Sequence, residues 1–78
     1  MGRLVTEYLE FVDAGTSASG KTRVWIVARI GGDDLGLVQW FGRWRQYCFF
    51  PAPATVWSDG CMRQVQEFVA AATKAHRS

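Results

Sequence analysis

Apolar and polar positions alternate through the middle of the chain and change period near its end. Thr22 to Ile30 is rich in β-branched residues, contains one tryptophan and reads as a strand. Gly31-Gly32-Asp33-Asp34 follows as a turn, and Leu35 to Phe41 reads as the next strand. Trp44 to Phe50 reads as another, ended by Pro51 and Pro53, because proline cannot donate to a ladder. From Ser58 or Asp59, either of which can cap a helix, the spacing becomes three and four up to about Ala75. Cys61, Val65, Phe68, Val69 and Ala72 then form one stripe to be buried. Arg63, Gln66, Glu67 and Lys74 lie largely off it, and His76, Arg77 and Ser78 are expected to fray.

The start of the chain fits two periods. Leu4, Val5, Tyr8, Leu9 and Val12 suit one face of a helix, while Tyr8, Glu10 and Val12 against Leu9 and Phe11 suit a strand. A strand suits residues 3–12 better, because a short polar connection and then a strong strand follow. That connection, Asp13 to Lys21, is rich in Gly, Ser, Thr and Ala. The expected fold is α+β: a four-stranded antiparallel meander with one C-terminal helix packed on one face, residues 1–78 forming a single domain.

A tight turn at Gly42-Arg43, with glycine supplying the positive φ of a type II′ hairpin, sets a register. It places Phe41 opposite Trp44, Trp40 opposite Arg45, Gln39 opposite Gln46 and Leu37 opposite Cys48. The GGDD loop places Ile30 opposite Leu35 and Ala28 opposite Leu37. Because side chains alternate, two faces result. One holds Trp25, Val27, Val38, Trp40, Tyr47 and Phe49, bordered by Arg23, Arg29 and Arg45. The other holds Val24, Ile26, Ala28, Ile30, Leu35, Leu37, Phe41, Trp44, Cys48 and Phe50, with Gln39 and Gln46 among them. Both are apolar, and one amphipathic helix covers one of them. Burying two amides without partners costs about 1–3 kcal/mol each, so the helix is assigned to the aromatic face. The aliphatic face then needs another cover. A homo-oligomer, a dimer or higher, through Ile26, Ile30, Leu35, Leu37 and Phe50 is the expected answer.

Composition sharpens that expectation. A chain of 78 residues makes one small domain, which buries only roughly 60% of its unfolded surface. Such domains lean on large side chains, disulfides, metals or partners. Two cysteines, Cys48 and Cys61, are too few for a disulfide scaffold, and no Cys/His cluster has the spacing of a metal site. Neither a metal nor a cofactor is expected. Net charge is +2, with Lys and Arg in excess over Asp and Glu only after residue 34. So mild a bias fits ordinary surface chemistry better than a dedicated nucleic-acid domain. Residues 4–12 are interrupted by Thr6, Glu7 and Glu10, which leaves no signal-peptide core, and no apolar run reaches membrane-spanning length. These features point to a cytoplasmic protein with reduced thiols and no membrane partner.

Three motifs carry candidate chemistry. Gly15 to Thr22, GTSASGKT, matches the phosphate-loop pattern, in which backbone N–H groups cradle phosphates and the lysine reaches their oxygens. That loop needs a helix beginning at the lysine, whereas Lys21 leads into a strand. The match therefore reads as a hairpin loop, with Lys21 only a weak binding candidate. Cys48 and Cys61 read as small apolar residues rather than nucleophiles, because the lone histidine, His76, sits at the chain's end away from any orienting group. No residue is assigned a catalytic role. Arg43, Trp44, Arg45 and Tyr47 interleave cations with rings, as single-stranded nucleic-acid binders do. Arg43, Trp44 and Arg45, at the hairpin tip, are the best candidate contact with a protein or nucleic-acid partner.

Trp40 to Pro51, WFGRWRQYCFFP, packs two tryptophans, three phenylalanines, a tyrosine and two arginines into one run. With Leu35-Gly36 before it and Cys61 in the opening turn of a terminal helix, it resembles a set of short bacterial proteins scattered among genomes, phages and mobile gene cassettes. They share a Trp-aromatic-Gly-x-Trp-Arg-x-Tyr pattern, an aromatic-Pro ending and a C-terminal helix. The resemblance spans roughly Lys21 to Ala71. It implies one small α+β domain and an accessory or host-interaction role, and it carries no activity with it. The expected function is a non-catalytic binding or self-associating module. The alternative is single-stranded nucleic-acid or nucleotide binding through Arg43, Trp44, Arg45 and Lys21.

Overall fold

The computed structural model describes residues 2–77. Five strands, one more than expected, form an antiparallel meander in chain order: β1 (Arg3–Val5), β2 (Leu9–Thr16), β3 (Arg23–Arg29), β4 (Asp34–Phe41) and β5 (Gln46–Pro51). One helix follows, α1 (Asp59–Arg77). Among the described residues no helix is long and apolar enough to cross a membrane.

The extra strand comes from a turn at Thr6. The Thr6 N–H donates to the Leu9 carbonyl at 2.8 Å, and the Leu9 N–H donates to Thr6 Oγ1 at 3.1 Å. The hydroxyl donates in turn to Gln64 Oε1 on α1, which also accepts from the Tyr8 N–H. Residues 3–12 are therefore a hairpin rather than one strand, with Leu4 opposite Phe11 and Arg3 paired to Glu10 at 3.2 Å. A threonine that turns the chain with its own side chain leaves no Gly or Pro to announce it. The polar connection is shorter than expected, because β2 continues to Thr16. Asp13 Oδ1 accepts the Gly15 N–H at 2.8 Å, and the strand bulges between Asp13 and Thr16 with Gly15 at φ 101°.

The β4–β5 register differs from the expected one by two residues. Phe41 faces Gln46, Trp40 faces Tyr47, Gln39 faces Cys48 and Leu37 faces Phe50. The loop is Gly42–Arg45, closed by Trp44 N–H to Phe41 C=O (3.1 Å) and Arg45 N–H to Gly42 C=O (3.2 Å). Its left-handed residue is Arg45, at φ 55°, not Gly42. The longer loop brings Trp40 and Tyr47 into edge-to-face contact at 5.3 Å, a gain the two-residue turn forgoes. β3 and β4 are shifted by two as well, with Ile26 rather than Ala28 opposite Leu37. A shift of two leaves every side chain on its predicted face.

Leu35 is the exception. A bulge between Val27 and Ala28 drops an extra residue into β4. Leu35 lies in the buried core, 4% exposed, instead of on the aliphatic face where it was expected as an interface residue. Gly36, next to it, lies beneath Phe49: an added Cβ would meet Phe50 O at 2.5 Å and the Phe49 ring at 2.8 Å.

α1 begins with Ser58 Oγ accepting the Cys61 N–H at 3.2 Å. Its stripe of Cys61, Val65, Phe68, Val69 and Ala72 packs on the aromatic face, as the glutamine argument required. Phe68 stacks on Phe11 at 4.1 Å and meets Trp25 edge-on at 5.0 Å. Leu9, Phe11, Val27 and Val38 are fully enclosed beneath it. The helix runs on to Arg77 where fraying was expected. His76 lies on Trp40 at 4.5 Å, and Arg77 Nη2 donates to the Arg45 carbonyl at 2.7 Å. Ser78 lies outside the described residues.

Two alanine substitutions separate the observed hairpin from a type II′ turn. Gly36→Ala is expected to cost roughly 1–3 kcal/mol, since one obstructing atom belongs to backbone. Gly42→Ala, with open space around it and an ordinary φ, is expected to change stability by less than about 0.5 kcal/mol. Urea melts of both variants read the difference.

Candidate functional site

The sheet face opposite α1 carries the candidate site. Register aligns Val12, Ile26, Leu37 and Phe50 in one row across β2, β3, β4 and β5. Val24, Gln39 and Cys48 make the next row, and Phe41 with Gln46 the one beyond. Leu37 and Phe50 are each 37% exposed, and Val12, Val24, Ile26 and Phe41 are half-buried by their neighbours. Near the β1 edge, Glu10 is engaged by Arg3. Gln39 and Gln46 stay partly in water, so neither amide needs a protein partner.

The hairpin tip belongs to the same surface. Trp44 is 63% exposed and rests edge-on against Phe41 at 4.9 Å; Phe41 in turn meets Phe50 at 6.2 Å. Arg43 and Arg45 are exposed on either side of Trp44. Arg45 also ties the loop to α1 through its carbonyl. The structure thus joins Trp44, through Phe41 and Phe50, with Leu37 and Ile26, while Arg43 and Arg45 flank Trp44 in the loop. It does not bring in Leu35, which is in the core, nor Lys21. Ile30 is exposed in the turn after β3, its N–H donating to the Tyr8 carbonyl at 3.3 Å.

Lys21 sits in a hairpin loop, residues 17–22, that leads into β3 with no helix. Three of the loop's N–H groups are spent inside it. Ser17 N–H donates to Thr22 C=O, Gly20 N–H to Ser17 C=O and Lys21 N–H to Ser19 Oγ. The Thr22 hydroxyl donates to Ser17 Oγ at 2.9 Å and is buried. Lys21 lines a shallow cleft with Arg23, Trp25 and His76. Arg23 is already held by Asp13.

The remaining chemistry is dispersed. Cys48 and Cys61 are free thiols on opposite faces of the sheet. His76 is four helical turns from Cys61, about 22 Å along the axis. No group of three or more potential metal ligands occurs among the described residues. One concave feature escaped the sequence reading: a groove between β5 and α1 of about 990 Å³. Its only sequence signal is a second helical row, Met62, Gln66, Ala70 and Lys74, next to the buried stripe.

The Asp13 carboxyl is held below the ordinary aspartate range, first by the Gly15 N–H and then by the Arg23 guanidinium. A depressed folded-state pKa stabilises the fold above the ordinary value, and that contribution fades as pH falls through the folded one. In Arg23→Gln the Asp13 midpoint is expected to rise but to stay below the ordinary value, because the Gly15 donor remains. An NMR titration of the side-chain carboxyl measures this.

No family model, no curated protein and no solved structure matches the chain.

Proposed function

We propose that this protein is a non-catalytic module that associates with a second copy of itself through the open sheet face. The observation that carries the reading is the unbroken apolar row Val12, Ile26, Leu37 and Phe50, continued through Phe41 to Trp44. Two sheets packed face to face lie about 10 Å apart, close enough to remove such a row from water on both copies. A two-fold pairing presents the same patch on each side, so one surface supplies both halves of the interface. The four residues of the row carry no charge; Arg3, opposite Val12 on β1, flanks its end and is paired with Glu10. The accessory role that the resemblance implies, in a cytoplasmic setting, agrees with a domain of this size that carries a spare apolar face.

Sedimentation equilibrium tests the reading. The native chain is expected to be a dimer or higher oligomer at micromolar concentration. Leu37→Lys is expected to weaken association by roughly a hundredfold or more, with an unchanged circular dichroism spectrum, because it buries a charge against its own symmetry mate. A native chain that remains monomeric near millimolar concentration would sink the proposal.

A second reading follows from the exposure of Trp44 between two exposed arginines. Such a tip can stack a base and contact phosphates, as in single-stranded nucleic-acid binders. A fluorescein-labelled thymidine oligonucleotide, titrated across salt concentrations, discriminates. Nucleic-acid binding should weaken steeply with salt and lose about 1–3 kcal/mol in Trp44→Ala. No binding at low salt would remove this reading and leave self-association untouched.

A further inference from the structure

The two edges of the sheet are finished differently. β5 is blunted at both ends: Pro51 has no N–H to give, and the Tyr47 N–H, which points outward, is taken by Thr73 Oγ1 at 3.0 Å. β1, at the other edge, carries no such guard. It has no proline and no bulge, and Arg3, Leu4 and Val5 pair in unbroken register with Val12, Phe11 and Glu10. Ladder alternation tells which of its backbone groups face outward. Gly2 C=O accepts the Asp13 N–H at 2.9 Å and Thr6 N–H donates to Leu9 C=O at 2.8 Å, so residues 2, 4 and 6 turn inward. Arg3 and Val5 therefore turn their N–H and C=O groups to the side on which, among the described residues, no strand lies.

The side chains of β1 are left open as well. Leu4 is 50% exposed and Val5 52%. Register makes Leu4 the end of a row that starts at Val27 and passes through Phe11, both buried in the core. The row thus leaves the core at Leu4, half in water. Val5 lies on the other face, opposite Glu10. The one charged side chain of β1, Arg3, is already paired with that glutamate at 3.2 Å.

We propose that β1 pairs antiparallel with β1 of a second copy, about a two-fold axis at Leu4, joining two five-stranded sheets into one. The outward groups are spaced evenly on either side of Leu4, so the same three residues supply both halves of the contact. Arg3 exchanges both backbone bonds with Val5 of the second copy, and Val5 exchanges both of its own with Arg3 of that copy. Every backbone group that β1 turns outward then has a partner. Leu4 faces its own counterpart in the position without hydrogen bonds, where side chains come closest. One contact thereby covers the exposed end of both core rows, which a strand lacking such a leucine would not do. The axis stands perpendicular to the sheet, so the pairing lies in the sheet plane. It is independent of the face contact through Leu37 and Phe50. Three residues a side make a weak contact, formed near millimolar rather than micromolar concentration.

The test uses the full chain carrying Leu37→Lys, which weakens the face contact and leaves β1 untouched. The Arg3 and Val5 amides should exchange hydrogen more slowly as concentration rises from micromolar to millimolar. Val5→Pro removes one outward donor and none of the bonds to β2, so it should weaken this association roughly tenfold or more at an unchanged circular dichroism spectrum. Disulfide trapping reads the register. With Cys48→Ala and Cys61→Ala in place, Leu4→Cys should link to its counterpart under diamide, because facing Cα atoms in that position lie about 4.5 Å apart, within disulfide reach. Arg3→Cys should not link, since position 3 faces position 5. Unchanged exchange at Arg3 and Val5, equal association by Val5→Pro, or trapping of Arg3→Cys as readily as Leu4→Cys would each overturn the proposal. Protection of the two amides without linkage through Leu4→Cys would also overturn it, assigning the edge to a strand other than a second β1. A native chain that associates through its face while these amides stay unprotected would sink the pairing and leave the face contact standing.

Discussion

One helix cannot cover two apolar sheet faces, and nearly everything distinctive about this molecule follows from that shortfall. α1 is 19 residues long, about 28 Å, and about 10–12 Å wide with its side chains. Five strands at about 4.8 Å spacing span roughly twice that width. The helix therefore spends its apolar stripe where the rings are largest. Phe68 sits between Phe11 and Trp25, and Leu9, Val27 and Val38 are sealed beneath. What it leaves over is of two kinds: the whole opposite face, and the strip beside β5 on its own face.

The choice between faces is settled by polar groups rather than by the amount of apolar surface. Gln39 and Gln46 sit on the open side, where water satisfies them. Among the described residues no buried side-chain polar atom is left without a partner. Tyr47 shows how closely: its hydroxyl accepts the Arg23 N–H at 3.1 Å, its own N–H is capped by Thr73, and its ring meets both Trp25 and Trp40. The same residue that organises the core thus also blunts the edge strand at one end. Pro51 blunts the other, which confines the unpaired edge to the neighbourhood of Phe49.

The hairpin Gly42–Arg45 links the two sides. Its tryptophan continues the open aromatic row through Phe41, and the Arg45 carbonyl holds Arg77 at the end of α1. The last helical turn is consequently anchored on both Trp40 and the hairpin. The tip and the helix terminus are joined through that hydrogen bond.

Much of this was legible from residue order alone. Alternation at period two set the strands and sorted their side chains by face, and a register slip of two residues in both β3–β4 and β4–β5 cost that assignment nothing. The spacing of Cys61, Val65, Phe68 and Val69 set the helix and its buried stripe. The strand after Lys21 argued against a phosphate loop. Other features depended on partners distant in the chain, which a local pattern cannot show. Gln64, far along the chain, holds the Thr6 turn that splits the first ten residues into two strands. The bulge that moves Leu35 into the core lies beside Gly36, over which Phe49 packs from the next strand. The groove beside β5 appears only once helix and edge strand are placed together. Local periodicity decides what each segment is and which way its side chains face; the competition among those segments for one core decides where the chain bends, bulges and leaves room.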